Sequence, residues 1–324
     1  QSPSGGGASS LHTERALLCR SLSLAPRFRA RCRGGPLASQ RLDLIACQWE
    51  DIGMAAQVKI GKRVGVIGGL GQLGSWCSEL FRVRGNTVLV SDLGTELSPT
   101  ELVQKSDVVV VSVPISATQG VLQGIAPVLS SNQLLVDLTS VKTPFIPTME
   151  GSKAEVLSLH PMFAPSLTAA SGQTCIVCPV RRGESAEWFE GVLRDEGLTL
   201  VEMTPDAHDR TMAVVQGLTH FQAIVAGHCM AALGFQPSES LAFASPVYKA
   251  RLAMIGRVLA QNPRLYAEIQ IFNPYVREVL EQLQRSSKAL LRLIEERDID
   301  GFVREFVSAR DALGSFSARS LLEV

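Results

Sequence analysis

The sequence predicts an α/β protein: a mostly parallel sheet with helices on both faces, followed by an all-helical domain. Three observations predict it. Short apolar stretches alternate with helical ones from about Lys59 to Val201. The first of them runs into a glycine-rich turn, Arg63-Val64-Gly65-Val66-Ile67-Gly68-Gly69-Leu70-Gly71-Gln72-Leu73-Gly74. No strand pattern follows Val201, where long apolar helical stretches take over.

The glycine-rich turn carries the first functional reading. Gly69, Gly71 and Gly74 have the G-x-G-x-x-G spacing of a Rossmann-type dinucleotide site. Gly69 would make the tight turn out of the strand, Gly71 would let the backbone approach a pyrophosphate, and Gly74 would let the next helix pack closely. That helix start, with Leu70, Gln72 and Leu73, offers free N–H groups to phosphates. Asp92 closes the second strand, Thr87–Ser91, where a carboxylate accepts from the adenosine ribose hydroxyls. A carboxylate there repels a 2′-phosphate, so the cofactor read from these residues is NAD rather than NADP.

Ser98 and Pro99 then signal a helix start, and Asp107–Val113 is a strand closed by Pro114. A helix over 116–127, a strand over 134–137, a strand ending at His160, a strand over 173–178, a helix over 185–196 and a last strand at 199–201 follow. Thr204 and Pro205 open a long helix reaching about Leu233, apolar enough to want burial on nearly all sides. Further helices are expected over 238–243, 246–261, 263–270, 274–297 and 301–320. The expected domains are a basic tail over 1–59, a nucleotide-binding domain over 60–202 and a helical domain over 203–324. So much apolar helix surface also implies burial against a second subunit, a homodimer.

Composition excludes several classes. Hydrophobic residues are 46% and charged residues 19% of the 324-residue chain, values of a globular protein. The net charge of zero gives no global field to draw in nucleic acid or a membrane surface. No apolar run approaches the roughly 20 residues of a membrane-spanning helix. Seven scattered cysteines suggest a reducing, cytoplasmic setting rather than a disulfide framework. Residues 1–59 are arginine-rich and acid-poor, which reads either as an organelle transit segment, plastid or other, or as a poorly ordered basic tail. Within it, 42–56 has the pattern of a short amphipathic helix.

Ligands of open α/β sheets sit at the carboxyl ends of the strands. Asp92, Ser112, Asp137 and His160 fall at such ends. Ser112 follows a run of four valines, and its hydroxyl either reaches a substrate or rests in the core; Val113 and Pro114 beside it would flank the cofactor. Asp137 reads as a loop cap. His160 is bracketed by Pro161 and Pro165, and its near-neutral pKa suits a group that takes a proton as hydride leaves a carbinol; the alternative is a structural histidine. His220 either lines the cleft or fills the core. His208-Asp209 reads as structural, because a histidine gains nothing from the positive end of a helix dipole. Lys142 either contacts an acid or lies on the surface. No metal site is read: Cys175 and Cys178 form a lone C-x-x-C within a strand.

These residues resemble the prephenate dehydrogenase family, especially the dehydrogenase part of bifunctional chorismate mutase–prephenate dehydrogenases. The likeness runs from about Val64 to the C-terminus. It includes Asp137-Leu138-Thr139-Ser140-Val141-Lys142, Leu159-His160-Pro161-Met162-Phe163, His208-Asp209, and Leu252 through Gln261-Asn262-Pro263 to Tyr266-Ala267. The resemblance implies NAD-dependent oxidation and decarboxylation of prephenate to 4-hydroxyphenylpyruvate, with arogenate or an amino-substituted prephenate as related cyclohexadienyl substrates. It also implies that His160 bonds the substrate hydroxyl and that the helical domain makes the dimer and closes the cleft. A non-catalytic NAD-binding scaffold is the reading from another class. The family expects a carboxylate-gripping arginine on the helix after Tyr266-Ala267. An ungapped reading puts Tyr275 at that position, with Arg277 two residues further on. On this reading His220, Tyr275 and Lys142 form the substrate side of the site.

Overall fold

A computed structural model describes residues 61–164 and 170–320. The basic stretch 1–59 and the helix expected within it lie outside the described residues.

Strands β1 (Arg63–Ile67), β2 (Thr87–Ser91), β3 (Val108–Val111), β4 (Leu134–Asp137), β5 (Glu155–Pro161), β6 (Thr174–Arg181) and β7 (Thr199–Glu202) form one sheet in the order β2-β1-β3-β4-β5-β6-β7. Each neighbouring pair is parallel except β5 and β6. Both faces are covered, which is why the strands read as continuous apolar runs. Val108 and Val110 face one core with α1 (Gln72–Arg82). Val109 and Val111 face the other with α2 (Pro99–Gln104), α3 (Ile115–Ile125) and α4 (Ile146–Glu150). Helix α5 (Glu184–Asp195) packs on the first face through Phe189 and Leu193.

Local signals explain the boundaries. Ser98 accepts from the Glu101 amide while Glu101 accepts from the Ser98 amide, a capping box with Pro99 at the first position. Thr204 caps α6 (Pro205–Met212) by accepting from the Ala207 amide. Helix α4 has no such signal in the sequence reading; it is one short turn led by Pro147. The tight turn after β1 belongs to Gly68, at φ +80°, not to Gly69 as the motif suggests. Gly69 is needed for space: a Cβ there would sit 2.7 Å from Val90 Cγ1.

The long helix expected after Thr204 runs without a break to Ala232, but it is not regular. A π-helical stretch, Ala213–Leu218, separates α6 from α7 (Thr219–Ala232). Gly217 lies within it, and a Cβ there would press on Val276 at the start of α11 (Val276–Glu295). Burial is also less complete than expected, since Val214, Val215, Val225 and Leu233 are exposed. The remaining helices are α8 (Pro237–Ser240), α9 (Pro246–Leu259), α10 (Pro263–Phe272), α12 (Ile299–Leu313) and α13 (Ser315–Arg319). Among the described residues no strand follows Glu202, and no single helix is long and apolar enough to cross a membrane.

Apolar contacts are among those that join the helical part to the sheet. Met212 of α6 packs on Ile176 and Cys178 of β6. Ile269 and Phe272 of α10 pack into the core over α3.

Candidate active site

The strand order reverses between β1 and β3, and a cavity of about 480 Å³ lies at the carboxyl ends of the strands there. Its floor comes from the sheet: Gly71-Gln72-Leu73 after β1, Ser112-Val113-Pro114 after β3, Thr139 and Ser140 after β4, and His160 on β5. Its roof comes from the helical part: Gln216, His220, Arg257, Arg264, Tyr266 and Glu268.

The glycine loop is shaped as a phosphate cradle. Helix α1 starts at Gly71 with no side chain capping it, so its first amides keep the free donors of a helix N-terminus. A Cβ on Gly74 would strike the Gly68 backbone, which keeps the helix close to the loop. Asp92 lies beside this loop: its carboxylate accepts from the Leu70 amide at 2.8 Å and the Leu93 amide at 2.7 Å. Ser112 is held by its own amide, which donates to Ile67 O at 2.8 Å.

His160 is buried, yet lines the cavity. Its Nδ1 lies 2.9 Å from His208 Nε2, and His208 Nδ1 lies 2.7 Å from Asp209 Oδ1. On the cavity side, the amide nitrogen of Gln216 lies 3.4 Å from His160 Nε2. Gln216 reaches it from the π-helical stretch, an irregularity that recurs at functional sites. Burial, then the charges of His208 and Lys142, hold the His160 pKa well below the ordinary histidine value. His208 is lowered by burial too, with its bond to Asp209 opposing. His208-Asp209, read from the sequence as structural, thus lie against the ring of His160. Packing of α6 on β6 brings them against His160, a long-range contact with no local sequence signal.

Two expected substrate residues stand elsewhere. Lys142 is wholly buried, and its ammonium is spent on Asp137 Oδ1 at 2.8 Å and Leu159 O at 2.6 Å. Asp137 is therefore one half of a buried ion pair, bonded also to Thr139 and Ser158. Tyr275 does not line the cavity either; its hydroxyl donates to Asp206, and the Arg210 guanidinium stacks 4.2 Å from its ring. Arg277 pairs with Glu281 on the surface.

The cations that do line the cavity are Arg257 and Arg264, which the sequence reading missed. Arg264 is engaged by Glu268 at 2.9 Å, and Glu268 also accepts from the Ser116 amide and hydroxyl at 3.2 and 2.6 Å. Burial opposes ionisation of Glu268, but these bonds outweigh it and lower its pKa. Arg257 makes no ion pair among the described residues. His220, read as lining the cleft or filling the core, borders the cavity; its ring lies 4.4 Å from that of Tyr266, and its Nδ1 is buried without a partner among the described residues. The Cys175 and Cys178 thiols are buried on β6 and pushed up to about 12, chiefly by that burial.

Known proteins share this plan. Residues 82–194 match the family model of the prephenate dehydrogenase nucleotide-binding domain, and residues 204–308 that of the prephenate dehydrogenase dimerization domain. A probable arogenate/prephenate dehydrogenase of Methanocaldococcus jannaschii is 35% identical over 276 residues, 79% of this chain and 62% of that protein. The chain therefore spans less than two thirds of that relative's length. The T-protein of Haemophilus influenzae is 32% identical over 262 residues, 81% of this chain and 70% of that protein. Prephenate dehydrogenase from A. aeolicus, solved with hydroxyphenyl propionate and NAD+, superposes with a TM-score of 0.60 at 18% identity, covering 78% of this chain and 96% of that one, and supports the fold. With both domain models matched in order and these relatives along most of its length, the chain belongs to the prephenate dehydrogenase family.

Proposed function

We propose that this protein oxidises the ring carbinol of prephenate with NAD, releasing the ring carboxylate as carbon dioxide and leaving 4-hydroxyphenylpyruvate. The observation that carries the proposal is the placement of His160 in one cavity with the open helix N-terminus after Gly71. Bound NAD supplies the hydride acceptor. Gly69, Leu70, Gly71, Gln72, Leu73 and Gly74 hold its pyrophosphate, Asp92 its ribose, and Val113 and Pro114 flank it. His160 takes the hydroxyl proton, and Ser112 aids in holding that hydroxyl. Arg257, lining the cavity with no ion pair of its own, takes over the carboxylate-binding role expected of Tyr275. His220 lies on the same wall.

Charge supports prephenate over arogenate. Arogenate carries an ammonium where prephenate carries a ketone. Glu268 is the one carboxylate among the described lining residues, and Arg264 and Ser116 already engage it. Turnover of prephenate, arogenate and 4-amino-4-deoxyprephenate with NAD tests this. The highest kcat/KM should be with prephenate; a preference for arogenate would reassign the substrate, and NAD binding with no turnover would favour a scaffold.

The nucleotide is assigned to 60–202, and the substrate and dimer contacts to 203–324. A homodimer accounts for the large apolar side chains exposed on the last helices, among them Ile294, Ile299, Phe306 and Phe316. A monomer in sedimentation equilibrium at micromolar concentration would contradict it.

A further inference from the structure

We propose that Asp209 and His208 act through His160: they fix the tautomers of both rings so that a bare His160 Nε2 faces the cavity, and His208 then receives the displaced proton. This deepens the reading of His160 given above and rests on it. Neither residue lines the cavity, so both are positioning residues.

The tautomers follow from donors and acceptors. Asp209 receives the Lys142 amide at 2.9 Å, the Thr143 amide at 2.8 Å and the Thr143 hydroxyl at 2.5 Å. Burial raises the Asp209 pKa, but the bonds from His208 and Thr143 outweigh it and hold it below the ordinary carboxylate value, so the carboxylate is ionised and accepts throughout. Its contact with His208 Nδ1 therefore requires an N–H on that nitrogen. A neutral imidazole has one N–H, so His208 Nε2 carries a lone pair. The contact with His160 Nδ1 then requires an N–H there, and His160 Nε2 is left bare. The Gln216 amide nitrogen, a donor, is the group found facing it.

Proton movement has a defined route. As the carbinol C–H leaves as hydride to the nicotinamide, the carbinol O–H breaks and its proton bonds to His160 Nε2. The Nδ1 proton of His160 passes to His208 Nε2. The positive charge then lies on the ring next to Asp209. When the bond to the ring carboxylate breaks and carbon dioxide leaves, that electron pair aromatises the ring, and the resulting phenolate oxygen takes the proton back along the same route, leaving 4-hydroxyphenylpyruvate. Asp137 also favours a cation on His208, but more weakly than Asp209, and the remaining groups facing the pair do not. Lys142, beneath β5, opposes a cation on either ring, and its own charge is matched by Asp137. Cys175 on β6 stays a neutral thiol, its pKa raised to about 12 by burial. His220 is neutral, lowered by burial.

Asp209 also ties the 142–143 loop to α6, and the test must separate the two roles. In Asp209→Asn the amide oxygen can still accept from the loop amides, while its NH₂ donates to His208 Nδ1. Every tautomer in the chain then reverses, and His160 presents N–H to the substrate. The full-length chain with ¹⁵N-labelled histidine should show His160 Nε2 as a bare, pyridine-type nitrogen, and Asp209→Asn should turn it into a protonated one. With prephenate, kcat should fall about 10²–10⁴-fold in Asp209→Asn, with KM and NAD affinity within about twofold, since those contacts lie elsewhere. His208→Phe should lose kcat similarly while Asp209 still ties the loop. The wild-type spectrum needs no variant: a proton on His160 Nε2 in the neutral enzyme overturns the proposal. So does a wild-type kcat in either variant. The expected spectra without turnover of any cyclohexadienyl acid would support the chain of tautomers and overturn the proposed reaction instead.

Discussion

His160 Nδ1 and His208 Nε2 lie 2.9 Å apart, inside the protein, on elements 48 residues apart in sequence. Both rings are held below the ordinary histidine range, His160 by burial and the charges of His208 and Lys142, His208 by burial. The unfolded chain therefore binds protons at a pH where the folded chain does not. Their contribution to stability is complete above the unfolded value of about 6.5 and declines as pH falls below it toward the folded values. Thermal melts at pH 7.5, 6.5 and 5.5 should show Tm falling with acid. The slope should be shallower in His208→Phe, which has one such group fewer. An equal slope in that variant would contradict the assignment.

Arg257 and Tyr275 should separate cleanly. Losing a charge-assisted hydrogen bond of roughly 1.5–3 kcal/mol predicts an increase in KM for prephenate of about 10–150-fold in Arg257→Ala. NAD affinity should not change. Tyr275→Phe should leave KM within about twofold, because that hydroxyl is spent on Asp206 outside the cavity. Steady-state kinetics on both variants decides it; the reverse pattern would restore Tyr275 as the substrate group.

Asp92 should set cofactor choice. Calorimetry on the wild type should give tighter binding of NAD than NADP, and Asp92→Ala should weaken NAD and narrow the gap. The substitution also frees the Leu70 amide that the carboxylate now holds at 2.8 Å. Tighter binding of NADP by the wild type would refute the ribose assignment.

The Lys142–Asp137 pair should matter for stability. Both side chains are almost fully buried, so Lys142→Met leaves a carboxylate uncompensated and should cost about 3–5 kcal/mol in denaturant unfolding. Asp137→Leu added to it should recover part of that loss. A single variant as stable as wild type would mean that the pair is not formed.

The fold was legible because its signals are local. Valines at 108–111, the caps at Ser98 and Thr204, and the glycine spacing after β1 each act within a few residues. The site was legible in part. Ser112, His160 and His220 border the cavity, as strand ends and a helix face suggested. The partners of His160 were not, because the packing of Met212 on Ile176 and Cys178 that brings α6 to β5 has no sequence period. Lys142 read as either contacting an acid or lying on the surface; only the tertiary structure decides between them, by pairing it with Asp137. Tyr275 came from an ungapped reading along one helix and lies outside the cavity lining, while the cations of the cavity come from α9 and the start of α10.

The central claim is that this cavity carries out an oxidative decarboxylation in which His160 accepts the hydroxyl proton. The most direct measurement mixes the purified full-length chain with NAD and prephenate at neutral pH, following NADH by absorbance and carbon dioxide by trapping, beside the same chain carrying His160→Asn. One NADH and one carbon dioxide should form per 4-hydroxyphenylpyruvate. The variant should turn over about 10²–10⁴-fold more slowly with NAD affinity unchanged. NADH without carbon dioxide, or a variant as fast as the wild type, would contradict the account.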